Sequence, residues 1–155
     1  MSGWYDRVFV AASWGELFPD DEELQTALVV DLSYMGKHTE ALKRAYANLE
    51  QRPYSARALT DLAAILVTLG RKEEACRYCL KAIELDESVA RAHATYAVAL
   101  ADRDLSLALE HMSRACQQEP GSFEYQLAMG NLQMQFGPSA AIKHYEAAAN
   151  LFANR

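Results

Sequence analysis

Apolar residues along most of this chain recur at helical spacing rather than in alternation. In residues 56 to 70, Leu59, Leu62, Ala63, Leu66 and Leu69 fall on one face before Gly70, the three-and-four spacing of a helix buried along one side. Gly70 is a helix stop, and a second stripe follows it. Ala75, Tyr78, Cys79, Ala82 and Ile83 share a face, and Glu84 to Ser88 closes the segment with a turn and the cap of the next helix. Residues 56–89 therefore predict two antiparallel helices. No stretch alternates apolar and polar residues long enough to predict a strand, so the expected fold class is all-α.

The same arrangement returns along the chain. Ala41, Ala75, Ala108 and Ala141 stand in matching surroundings, 34, 33 and 33 residues apart by subtraction, a spacing typical of helical-hairpin arrays. The units run at about 22–55, 56–89, 90–121 and 122–155. In the first, Leu28, Leu32, Gly36, Ala41 and Pro53 occupy corresponding places. In the third, these are Tyr96, Ala97, Leu100, Ala108, Ala115 and Pro120, and in the fourth Met129, Gly130, Gly137, Ala141, Tyr145 and Ala148.

These positions resemble the tetratricopeptide repeat, with small and apolar residues in a first helix, glycine at the hairpin, then alanine, aromatic, alanine and a closing proline. The resemblance covers roughly residues 21–155. It implies a right-handed superhelical solenoid of antiparallel helix pairs, in which each hairpin buries its apolar face only by stacking on its neighbours. Some features depart from the pattern. The third unit has Asp102-Arg103-Asp104 in place of the hairpin glycine and is one residue short, which predicts a tighter turn or a shorter first helix. The fourth has Pro138 after Gly137 and polar Gln126 and Gln133 on its first helix. The family's tryptophan is replaced by Gln25, Leu59, His93 and Gln126 in the four units.

The resemblance also implies a concave inner wall built from the first helix of each pair, and a function in protein–protein interaction. The candidate groove residues are Thr26, Val30, Tyr34, Arg57, Thr60, Asp61, Ala64, Thr68, Arg91, Thr95, Val98 and Met134. This lining is small and mostly uncharged. It fits an extended or helical peptide of a partner protein with apolar anchors, its register set by Arg57, Asp61 and Arg91. The family's clamp for chaperone tail carboxylates uses lysines, asparagines and an arginine. Its places fall here on Thr26, Val30, Asp61, Arg91 and Thr95, so only Arg91 keeps a matching charge. An adaptor or scaffold is the first reading. A small dedicated chaperone is the alternative, on a resemblance to the short, acidic repeat chaperones of bacterial type III secretion.

Composition narrows the chemistry. With 155 residues, 51% of them hydrophobic, the chain has enough apolar material for one core. A formal charge of −6 argues against nucleic acid, which calls for a basic stripe. No apolar run reaches the roughly 18 residues of a membrane span, and the amino terminus lacks a basic segment followed by an apolar one, so a cytoplasmic protein is expected. His38, His93, His111 and His144 show no metal or catalytic spacing, and there is no nucleophile elbow or phosphate loop. Cys76 and Cys79 lie within a helical stretch and read as buried thiols rather than half of a zinc or redox site. No catalysis, cofactor or metal is expected.

The two ends carry apolar residues with no obvious cover. Residues 1–19 read as an amphipathic helix bearing Trp4, Phe9, Trp14 and Phe18, either a cap on the first unit or an interaction segment. In the last helix Ile142, Tyr145, Ala149 and Phe152 share a face with no helix after it. Trp4, Phe9, Trp14, Phe18, Tyr145 and Phe152 are thus candidates for self-association as a homodimer.

Overall fold

The computed structural model describes residues 15–154. Among these residues there are eight α-helices, one short 3-10 turn and no strand. The helices are α1 (Glu22–Tyr34), α2 (His38–Gln51), α3 (Ala56–Thr68), α4 (Lys72–Leu85), α5 (Ala90–Leu100), α6 (Leu105–Gln118), α7 (Phe123–Gln133) and α8 (Pro138–Ala153), with the 3-10 turn at Met134–Phe136 before α8. Residues 15–17 are helical as well. The chain is an all-α solenoid of helix pairs.

Local chemistry sets where half of the helices begin. Asp21, Ser55, Asp104 and Ser122 each accept a backbone N–H from three residues on, satisfying one of the amides that a helix start leaves free. The first two hairpins turn through Gly36 and Gly70, whose φ values of 74° and 77° lie in the region where a Cβ is penalised. Each turn returns the next N–H to the helix it leaves, Lys37 to the Leu32 carbonyl and Arg71 to that of Leu66. The third hairpin has no glycine and no residue of positive φ. It closes with Arg103 and Asp104 both donating to the Leu100 carbonyl, and its first helix is cut to 11 residues against 13 in α3. The helix is two residues shorter and the turn one longer, which together account for the missing residue.

Packing follows from the small residues. Ala41, Ala75, Ala108 and Ala141 are all fully buried, letting the second helix of each pair lie close to its partner. Around them Leu28, Leu62, Ile65, Leu66 and Met112 fill the core. Gly130 serves the last pair: a Cβ there would stand 2.6 Å from the Tyr145 ring, so α8 closes on α7 only because that side chain is absent.

Neighbouring hairpins also touch through their first helices, α1 on α3 and α3 on α5, so these form one wall. At the edge of the stack the third turn is fastened to the start of α4 by two exposed ion pairs, Lys72 with Asp102 and Arg103 with Glu73. At the amino end Gly15 is buried beside Leu28, and its carbonyl accepts from the Gln25 carboxamide at 2.9 Å.

Candidate functional site

The first-helix wall holds a pocket of about 200 Å³ between α1, α3 and α5. Val29, Val30, Ala64 and Ile65 give it aliphatic sides, Ser33 and Thr68 add hydroxyls, and Tyr34, 82% exposed, stands at the rim. Six of the candidate groove residues meet here: Val30, Tyr34, Asp61, Ala64, Thr68 and Arg91. Helical periodicity explains the grouping, because residues three, four and seven apart on one helix share a face.

An ion pair closes one side of the pocket. Arg91 donates from Nη1 to Asp61 Oδ1 at 2.5 Å, across the gap between α5 and α3. Asp61 is wholly buried, whereas about a third of the Arg91 side chain remains exposed. Burial pushes the Asp61 carboxyl above its ordinary value, opposed first by Arg91, then by the Thr26 hydroxyl and more distant Arg57. Thr26 lies near enough to Asp61 to favour its charge without completing a hydrogen bond. The charge that solvent meets in this pocket is that of Arg91, with Asp61 beneath it.

Two expectations about the wall need correction. The helical register of α3 places Thr60 toward the groove, but it is 1% exposed and its hydroxyl donates back to the Ala56 carbonyl at 2.7 Å. Asp61, expected to help set the register of a bound segment, is buried and paired with Arg91. The cause is the same for both. α3 has a first helix on either side, so part of its inner face becomes a packing surface.

The remaining groove candidates are spread along the wall. Arg57 is exposed, 3.7 Å from Glu23, Thr95 is half-buried, and Val98 and Met134 are exposed. Of the self-association candidates, Trp4, Phe9 and Trp14 lie outside the described residues. Phe18 is exposed, and Phe152, 64% exposed, meets Phe123 edge-on at 5.6 Å between ring centroids. Tyr145 is half-buried. It does not lie open on the last helix but covers Gly130 and donates to Asn131 at 2.9 Å.

The structure adds a polar contact that spacing rules for metals and catalysts pass over. His93 and His111, 18 residues apart, face each other through Nδ1 at 2.8 Å. Gln126 and His144 make the equivalent contact in the next hairpin, also 18 apart and at 2.8 Å. His93 and Gln126 occupy the place of the family's tryptophan, which was the available signal. Cys76 and Cys79 are buried, and desolvation pushes both thiols up. Among the described residues no three His, Cys, Asp or Glu side chains gather as a metal site, and no helix is long and apolar enough to cross a membrane.

The tetratricopeptide repeat family model matches residues 56–89, which are α3 and α4 with their turns. That hairpin matches the tetratricopeptide repeat, and the pairs around it stack in the same fold. Several solved structures share the fold of this repeat array. TTC0263, a thermophilic repeat protein of Thermus thermophilus, superposes with a TM-score of 0.85 at 17% identity, covering 96% of this chain and 82% of that one. MamA of Desulfovibrio magneticus RS-1 gives 0.68 at 18% identity, over 98% of this chain and 87% of its own. YrrB, described as a repeat protein with an unusual peptide-binding site, gives 0.62 at 18% identity, over 96% and 77%. At such identities the likeness is one of fold. No curated protein matches the sequence. Tetratricopeptide repeats are protein–protein interaction modules, and the repeat at residues 56–89 supports that coarse function.

Proposed function

We propose that the chain binds an extended or helical segment of a partner protein along its concave wall, seating an apolar side chain in the pocket between α1 and α3. The pocket carries this reading: aliphatic sides, an exposed aromatic rim at Tyr34, and hydrogen-bonding groups at its margin are the composition of a peptide anchor site. Arg91 keeps N–H donors beyond the one given to Asp61, and those suit a backbone carbonyl of the bound segment. YrrB, similar in fold, is described as having a peptide-binding site, which supports a groove ligand. An adaptor and a dedicated chaperone would both use this surface, and a client that stays soluble only in the complex would mark the chaperone.

The test starts from peptides selected from a random library on the full chain. Tyr34 and Val98 are exposed, so Tyr34→Ala and Val98→Glu should leave the melting temperature nearly unchanged, within about 0.5 kcal/mol of stability. Each should weaken the selected peptides by more than about 1 kcal/mol, the threshold of an anchoring contact. Peptides that bind both variants as tightly as the parent chain would place the binding surface elsewhere.

A further inference from the structure

The third hairpin is held from inside by two imidazoles, and their protons can be assigned from their neighbours. His93 Nε2 lies 3.0 Å from the Glu87 carbonyl oxygen. A carbonyl only accepts, so Nε2 carries a hydrogen and donates it, and in the neutral ring Nδ1 is then an acceptor. The Nδ1 of His111, 2.8 Å away, must therefore be the donor. Gln118 donates to the same Glu87 carbonyl at 2.7 Å, anchoring it against the end of α6. The rings stack with centroids 5.0 Å apart, and Tyr96 meets His111 edge-on at 4.8 Å.

This arrangement has a definite proton capacity. A first added proton can sit on His111 Nε2, on the side away from His93, and leaves the Nδ1 contact intact. A second has only His93 Nδ1 to go to, and there it turns both facing nitrogens into donors and puts two positive rings in contact. His93 is 1% exposed, so water cannot relieve that repulsion while the hairpin stays closed. We propose that the His93–His111 contact is an acid-sensitive latch, which keeps α5 on α6 with no added proton or one and releases them when both rings are charged.

The surroundings set the direction of the response. Burial holds His111 below its ordinary value, with His93 and Arg114 adding to the effect and Glu110 opposing it. From α5 the facing titratable group is Tyr96, and from the loop before it Glu87, through its carbonyl. The α4 thiols Cys76 and Cys79 act on Tyr96, and Tyr125 of α7 couples to Glu119 and Cys116. At His111 the folded chain thus binds protons less readily than the unfolded chain as pH falls through the ordinary imidazole value of 6.5. The stability that His111 confers in this way is complete above that pH and is lost as pH falls from it toward the lowered folded value. Because α5 also carries Arg91, Thr95 and Val98, opening would release a groove-bound segment, a consequence that rests on the groove reading above.

The test uses the full chain without a partner. Imidazole nitrogen spectra should show His93 as the Nε2–H tautomer at neutral pH, and amide exchange should report opening of α5 and α6 between about pH 7.5 and about pH 4.5. Each proton bound only on opening raises the opening constant about tenfold per pH unit. His111→Gln keeps a donor for His93 and removes one charge, so it should flatten that rise while α1 to α4 stay unchanged. A His93 that takes up its second proton with α5 and α6 still protected overturns the latch, and this holds even if the variant does not fold. Equal acid profiles for parent and variant overturn it too. A selected peptide that stays bound while the hairpin opens counts against the groove reading alone.

Discussion

The second and third hairpins have the same fold and opposite interiors. At the place where the family carries tryptophan, the second hairpin has Leu59, packed with Ala82 and Ala92 in an apolar cluster. The third has His93, hydrogen-bonded to His111. The hairpin turns differ likewise, one a glycine of positive φ and the other a glycine-free closure on a shorter helix. The array tolerates both because the alanine seats and the neighbouring stacks fix the geometry, while the interior position decides only how the hairpin responds to its surroundings.

The largest effect should come from emptying the apolar hairpin. Leu62 is completely buried, and Leu62→Ala should cost about 2–5 kcal/mol in thermal or urea unfolding. A loss below about 1 kcal/mol, when about 2 is the least a collapsed cavity costs, would show that the central hairpin is not tightly packed. Next comes the pair joining the two hairpins. Arg91→Leu strips Asp61 of its salt-bridge partner and should cost about 1–3 kcal/mol near neutral pH. Asp61 is already raised when folded, so it takes up a proton more readily folded than unfolded, and stability shifts in favour of the fold as pH falls through its folded value. Loss of Arg91 raises Asp61 further. The gap between variant and parent should therefore narrow on acidification, and a gap independent of pH would take Asp61 out of the account.

The smallest effect at neutral pH should come from giving the third hairpin the chemistry of the second. His93→Leu exchanges two hydrogen bonds for apolar packing, but Gln118 still donates to the Glu87 carbonyl and half-buried His111 can reach water, so the variant should lie within about 1 kcal/mol of the parent. On acidification the variant should become the more stable of the two, because it has no second ring to charge. Unfolding curves of both proteins at several pH values would show the crossing, and parallel curves would mean that the two interiors respond alike to acid.

Much of this is legible in the sequence, for physical reasons. Helical period, the buried alanines and the turn glycines are all local, and each acts within a few residues of itself, whereas the cap expected from residues 84–88 is absent because Val89 stands at the helix start. Burial of Thr60 and Asp61 depends on what lies on both sides of α3, which no spacing within α3 reports. The His93–His111 contact spans a hairpin, so its partners are separated by a turn and most of two helices. A motif search tuned to metals and catalysts has no pattern for two rings that only bond each other. Helix faces alone lead to the pocket, since Val30, Tyr34, Ala64, Thr68 and Arg91 meet there. They do not lead to its floor, because the covering of Asp61 by Arg91 is a contact between separate repeats.

The two ion pairs at the edge of the stack run in opposite senses. Lys72 precedes Glu73 on one turn, while Asp102 precedes Arg103 on the other, and Lys72 meets Asp102 as Glu73 meets Arg103. Both pairs are exposed, so each is worth less than about 1 kcal/mol. Their order carries information that their energy does not. Slide one turn past the other until Lys72 faces Arg103, and like charges oppose each other where unlike charges had met. The joint works as a lock with notched teeth, weak when closed and resistant to closing one notch out of place.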